Sequence, residues 1–424
     1  MLSGKARTGI DLGTGSIKLV RVSGGSQPVI THLGVEPWDP GDPAHQVTRV
    51  ATSLRRLLHR LRLSAKQLGT ITVGLGGDDV SLREVLMPLL SPEELKLALP
   101  FESRRHLYLR DVPDPILDAQ ILGPAETPAS EPARAGLAQT SILEERDPPP
   151  PLLTMAAMPA PALSATPSVG ATPALSATPG VGATPALSAT PGVGATRRMP
   201  PTAGAPVAQT HEGTTERISE PPQMRVLIVA TPKSRRDVPL AVLARVGLMA
   251  QVVDAEPLAA LNVLLWLTSR GNAAEHSLGG GPTDAAGPGG HSSALALADV
   301  GHARVALHLT HRTGGLLSRS LGPPPPASGE LEAMERWSDE LAAAVQETLL
   351  FYRGRYRREV PAVYLSGGGA LIPGLPERLE RSLGREVLVC NPFLGMDLAG
   401  RLGPLAGPLA PRFVTACGLC RWWE

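Results

Sequence analysis

From Thr8 to Val22 (TGIDLGTGSIKLVRV) apolar and polar positions alternate on either side of a glycine-rich break. A period of two interrupted this way predicts two strands joined by a tight turn. Val47 to Leu63 changes to helical spacing: Val50, Leu54, Leu57, Leu58 and Leu61 share one side, and Arg55, Arg56, Arg60 and Arg62 fall largely off it. Ile71 to Leu75 and Val80 to Met87 again read as strands. Ser91, followed by Pro92, Glu93 and Glu94, supplies an N-cap, a first-turn proline and first-turn acids, and opens a helix to about Leu107. Met224 to Thr231 (MRVLIVAT) is a buried strand, with a helix over Val238 to Val246 and a strand over Ala250 to Val253. The last third repeats the theme: strands at Ala294–Val300 and Arg304–Thr310, a helix from Ser338 to about Arg357, and a strand Ala362–Leu365 that runs into Ser366-Gly367-Gly368-Gly369. Strands alternating with helices predict an α/β fold.

The pattern disappears between Gly123 and Pro222. Inside that stretch PALSATPSVGAT starts at Pro161, and PALSATPGVGAT starts at Pro173 and again at Pro185. Stacked copies of this unit would have almost nothing large and apolar to bury, so a tether is expected rather than a solenoid. Gly271 to His291 is a second loose stretch, and Pro323 to Pro326 punctuates a third. Composition agrees: 45 glycines and 44 prolines in 424 residues, with aromatics at only 3%.

Charge adds an exclusion. Forty Lys+Arg against 39 Asp+Glu leave a net charge of +1, which argues against a chain built to coat nucleic acid or anionic lipid, though a local patch is compatible with it. Three cysteines make no disulfide framework, so a reducing compartment is expected. Pro257 to Thr268, the longest apolar run, falls well short of the roughly 20 residues of a membrane helix. A cytoplasmic protein is the expectation.

The candidate chemistry lies in three glycine turns, each leaving a strand. In Asp11-Leu12-Gly13-Thr14-Gly15-Ser16-Ile17-Lys18 the glycines can expose consecutive backbone N–H groups as an anion nest. Thr14 and Ser16 add hydroxyls, Lys18 a point charge, and Asp11 a carboxylate suited to a metal's water shell. The pattern is neither a Walker A loop nor a dinucleotide fingerprint. Asp299-Val300-Gly301-His302-Ala303 is again strand, acid, glycine, strand, and Ser366-Gly367-Gly368-Gly369 is the third turn. The order suggests a duplicated domain.

That order resembles the actin-like ATPase superfamily, a fold of duplicated, ribonuclease H-like α/β domains. By the resemblance, residues 11–18 are a first phosphate loop, 299–303 a second, and Ser366 to Gly369 an adenosine loop. ATP would lie between the halves, with Mg²⁺ between Asp11 and Asp299. Asp254-Ala255-Glu256-Pro257-Leu258-Ala259-Ala260 resembles the element in which a glutamate orients water for attack on the γ-phosphate. Glu256 would take that role, or simply start a helix with Pro257 at N1; at most weak ATPase activity is expected. Within the superfamily the chain resembles the PilM family of type IV pilus assembly proteins. The likeness is carried by Val80–Arg83 to Met87-Pro88, Ser91–Leu95, Phe101-Glu102, Leu117–Leu122, Met224–Lys233, Leu349–Tyr352, Leu365–Gly369 and Asn391–Phe393. It implies residues 1–75 as the first part of lobe I, 76–252 as an inserted subdomain of the FtsA/PilM type carrying the tether 123–222, 253–291 as the remainder of lobe I, and 292–424 as lobe II with the C-terminal helix. It also implies an ATP-binding scaffold peripheral to the inner membrane. Such a scaffold docks the N-terminal tail of a PilN-like inner-membrane protein, with the groove expected within Val73–Leu107, neither inserting into the membrane nor binding nucleic acid. Self-association is left open. An FtsA-like cell-division ATPase and a small-molecule kinase of the same fold are the alternatives. One departure is Ser320-Leu321-Gly322-Pro323-Pro324, where relatives carry a Gly-Gly turn; the prolines remove backbone donors.

Other features read as packing or solvated surface. Cys417 and Cys420 have metal-like spacing but no second pair, and free cysteine packs as a small apolar residue. Arg353, Arg355, Arg357 and Arg358 suit a helix C-terminus. Trp422-Trp423 could be a docking tip or a helix end.

Overall fold

The computed structural model describes residues 6–24, 29–39, 41–76, 80–107, 109, 112, 114–124, 222–269, 293–312, 314–326, 330–400 and 402–420. Most of the expected tether, the loop 271–291 and Trp422-Trp423 lie outside the described residues.

Two sheets share one plan. In the first, β1 (Arg7–Leu12), β2 (Ser16–Val22) and β3 (Val29–Pro37) form an antiparallel meander. Helices α1 (Gln46–Arg60) and α2 (Ala65–Leu68) then lead to β4 (Thr70–Leu75), which joins β1 in parallel. The inserted segment follows: β5 (Ser81–Pro88), α3 (Pro92–His106), β6 (Pro115–Pro124) and β7 (Gln223–Pro232), with β7 antiparallel between β5 and β6. The chain returns through α4 (Lys233–Arg245) to β8 (Val252–Ala255), parallel to β4, and α5 (Glu256–Ser269). In the second sheet β9 (Leu295–Val300), β10 (Val305–Thr310) and β11 (Leu317–Gly322) repeat the meander. The long α6 (Leu331–Tyr356) leads to β12 (Ala362–Ser366), parallel to β9, and α7 (Leu375–Leu383) to β13 (Glu386–Val389), parallel to β12. The orders β3-β2-β1-β4-β8 and β11-β10-β9-β12-β13 are the same five-strand topology twice. The duplication expected from the paired Asp-x-Gly turns is a property of the fold.

Several boundaries differ from the sequence expectation. The helix expected over Val238–Val246 begins at Lys233 and keeps Pro239 inside it. It packs chiefly with lobe I: Val242 and Leu243 are buried with Val50, Leu54 and Leu57 of α1. The strand expected at Ala250–Val253 is β8, shifted toward Asp254 by its pairing with β4. The helix expected from Ser338 starts at Leu331.

The C-terminal segment, expected in lobe II, crosses back. β14 (Asp397–Leu398) pairs in parallel with β3 and makes a sixth strand of the first sheet; α8 (Gly403–Leu409) and α9 (Val414–Leu419) follow. A Cβ on Gly9 of β1 would meet the Ala416 carbonyl, and one on Gly418 the Ala259 carbonyl, so α9 lies directly on β1 and α5. The cause is α5, which buries Ala259, Ala260, Leu261, Val263, Leu264 and Leu267 and so needs cover on more than one side. Cys390, Cys417 and Cys420 are buried free thiols in that core, as packing predicts. Among the described residues no helix is long and apolar enough to cross a membrane.

Candidate functional site

The C-terminal ends of the parallel strands in both sheets converge, the usual place for ligand chemistry in an open α/β sheet. From the first hairpin, Asp11 is buried and pairs with Lys18 at 3.1 Å, its strand neighbour in the β1–β2 register. Lys18 Nζ lies back over Gly13, where a Cβ would stand only 2.5 Å from it. The turn is held from behind by Trp38. Its Nε1–H donates to the Gly13 carbonyl at 2.8 Å and its backbone N–H to the Gly15 carbonyl at 3.3 Å. Because each peptide is planar and trans, the N–H groups of Thr14 and Ser16 face the opposite way.

The second hairpin meets the first. A Cβ on Gly15 would stand 2.5 Å from His302 Cγ, so the two tips touch. The Gly301 N–H donates to the Arg304 carbonyl, closing the turn. Asp299 accepts from Ser366 Oγ at 3.0 Å, which joins β9 to the end of β12. There Gly367 (φ +83°) and Gly369 lie so close to Val300 that neither could carry a side chain, and Gly367 N–H is taken by the Pro411 carbonyl. Gly368 faces Arg412, whose guanidinium would stand 3.6 Å from a Cβ there. Arg412 escaped the sequence reading.

Glu256 completes the set. It starts α5, and its carboxylate lies across the end of β4, where a Cβ on Gly74 or Gly76 would collide with it. Arg304 reaches it from the second hairpin at 3.8 Å. Asp11, Glu256 and Asp299 thus share one locality with Lys18 and Arg304. Burial raises the Asp11 carboxyl above its ordinary value; Lys18 opposes this and Asp299 adds to it. Burial and the Asp11 charge push Glu256 up to about 8 against the pull of Arg304 and Lys18, with Asp299 adding to the rise. Burial alone would lower Lys18, but Asp11, by charge and hydrogen bond, leaves it raised, with help from Glu256 and Asp299.

Three neighbouring carboxylates thus face two cations, Lys18 and Arg304, in this locality. Among the described residues no three His, Cys, Asp or Glu side chains come close enough to cage a metal ion. Asp11 and Asp299 bring one carboxylate from each hairpin to this locality.

A second concavity, of about 750 Å³, opens between the inserted sheet, β8 and α5, and the segment before β11. Leu75, Val80, Ile116, Leu227, Val229 and Leu258 give it an apolar lining, with Asp118, Arg236, Asp254 and Asn262 around it. Both β6 and β8 are outermost strands of their sheets. Of the expected Val73–Leu107 groove only Leu75, Val80 and Glu84 line it; the rest comes from segments remote in sequence.

Two lobes of one repeated topology, each offering an acid-bearing hairpin to one locality, define an actin-like fold. Comparison with known proteins shows what the chain is similar to. Residues 325–421 match the family model described as type IV pilus assembly protein PilM. A chain of a solved PilM–PilN type IV pilus biogenesis complex shares the fold at a TM-score of 0.59, with 18% identity, over 99% of this chain and 98% of that one. Two further structures align at lower scores. One is a Bacteroides thetaiotaomicron protein with an actin-like ATPase fold and unknown function (TM-score 0.37, 11% identity, 96% of each chain). The other is the cytoplasmic domain of EpsL, an inner-membrane component of the Vibrio cholerae type II secretion system (TM-score 0.35, 10% identity, 96% of this chain and 94% of that one). The PilM resemblance drawn from dispersed sequence segments is borne out.

Proposed function

We propose that this chain is an ATP-binding scaffold of type IV pilus assembly, held in the cytoplasm against the inner membrane by the N-terminal tail of a PilN-like protein. The PilM family match over residues 325–421 carries the reading, and the PilN-containing complex of the structural neighbour supports the choice of partner.

In the cleft, Mg²⁺ would neutralise the triphosphate and screen the acids that now raise one another. The N–H groups of Thr14 and Ser16, backed by Trp38, would face the phosphates with the Thr14 and Ser16 hydroxyls. Lys18 would add its point charge, and Asp11 and Asp299 would hold the metal's waters from opposite lobes. Gly13, Gly15 and Gly301 allow the two hairpins to approach, and Gly367 to Gly369 let the third turn lie against Val300 beneath the nucleoside. Glu256 would orient water toward the terminal phosphate. At most slow turnover is expected, with the nucleotide serving mainly as a conformational ligand. The tail would lie in the 750 Å³ concavity, extended along the free edge of β6 or β8 with apolar side chains in its lining.

Two experiments test this. Binding of a fluorescent ATP analogue with Mg²⁺ should weaken roughly ten- to hundredfold in Asp11→Ala and in Asp299→Ala; full affinity in both defeats the cleft assignment. A synthetic partner tail should be retained by the full chain with or without ATP, and no retention in either state refutes the scaffold reading.

A further inference from the structure

The helical layer on the outer face of the first sheet is basic out of proportion to the chain. α1 carries four arginines and no acid, and α4 carries four cations and one acid, in a protein whose net charge is +1. These helices lie on opposite sides of the inserted sheet in sequence, yet pack side by side, with Arg55 donating to the Arg245 carbonyl at 2.9 Å. Their apolar faces are taken by the sheet. Arg55, His59, Arg62, Lys66 and Arg245 are left exposed around them. The nearby acids do little to balance this. Glu36 is buried and already shared by Arg56 and Arg60, and Asp237 is paired with Arg236. Just beyond α4, Met249 is 73% exposed.

We propose that this α1–α4 layer rests on an anionic phospholipid surface. Exposed cations flanked by an apolar side chain match the chemistry of a headgroup layer over an acyl boundary. Neither helix carries a Phe, Tyr or Trp ring on which a nucleic-acid base could stack, which favours a lipid surface over a nucleic-acid interface. Position supports the choice. Arg236 of α4 lines the concavity assigned above to the tail, so a tail rooted in the membrane brings α4 and its neighbour α1 to the bilayer. That orientation rests on the tail-docking proposal; the charge distribution does not.

The test is flotation of the full chain, without any tail peptide, with vesicles of phosphatidylcholine alone or mixed with phosphatidylglycerol. The protein should float with the anionic vesicles and not the neutral ones, and added salt should release it. Combined Arg62→Glu, Lys66→Glu and Arg245→Glu should weaken the association roughly a hundredfold at an unchanged melting temperature. No flotation with anionic vesicles, equal flotation with both, or undiminished binding by the reversed variant overturns the proposal. Preference for double-stranded DNA over the anionic vesicles also overturns it. Because no tail is present, failure here leaves tail docking standing, and failure of the tail pull-down leaves the salt-sensitive lipid binding to be read on its own.

Discussion

Glu256 shows how a single side chain acquires its chemistry from three directions. It belongs to the first turn of α5, lies over the glycines that end β4, and is reached by Arg304 from the other lobe. Its raised carboxyl has a consequence for stability in the nucleotide-free protein. Between the ordinary value near 4.5 and about 8 the unfolded chain has released this proton while the folded chain keeps it. Stability from this group is therefore greatest at low pH and falls as pH rises through that window. Melting temperatures measured from pH 5 to 8 should show Glu256→Gln gaining on the wild type as pH increases; parallel curves would mean the carboxyl ionises normally. Asp11, Gly13 and Lys18 could be read from the sequence because a strand, an acid and a glycine turn are contiguous. Trp38, Arg304 and Arg412 could not, since nothing local says that a tryptophan two strands on would hold the turn from behind.

Between elements, the inserted sheet is tied to lobe II by Glu84. Its carboxylate accepts from Gly315 N–H at 2.7 Å and Leu316 N–H at 3.1 Å and pairs with Arg225 at 3.3 Å. Removing a mostly buried acceptor leaves its donors unsatisfied. Glu84→Ala should cost about 2–3 kcal/mol in urea unfolding and raise hydrogen exchange at Gly315 and Leu316; unchanged exchange there would show that the tie does not hold the segment. The α5–α9 crossing is equally tight. Gly418→Ala forces a methyl into the Ala259 carbonyl and should lower stability by about 2 kcal/mol, read from the same denaturant midpoint. The helix at Pro92 was legible to the residue, because Ser91 and Glu94 form a reciprocal capping box that is entirely local. The Glu84 tie spans more than two hundred residues and leaves no pattern in the chain.

For the whole molecule, the exit and return of the low-complexity segment can be placed from its flanking strands. Pro124 is opposite Met224 in the β6–β7 ladder, so a short connection can join them. Replacing residues 127–220 with a glycine-containing turn should leave the melting temperature within about 3 °C, the shift expected of roughly 1 kcal/mol at this size. A larger loss would give that segment a share in holding the fold together.

The strands and helices around the glycine turns, the turns that carry acid and glycine, and the α/β class all come from patterns a few residues long, because side-chain periodicity and turn chemistry are local. Distant segments meet for a different reason: each must bury whatever face its neighbours leave open. The all-round apolar α5 draws the C-terminus back onto the first sheet, and the covering of β1 and β4 sets α1 beside α4, turning a chain of balanced charge into one with a basic face. Periodicity tells a helix which side is apolar; only packing decides what covers it.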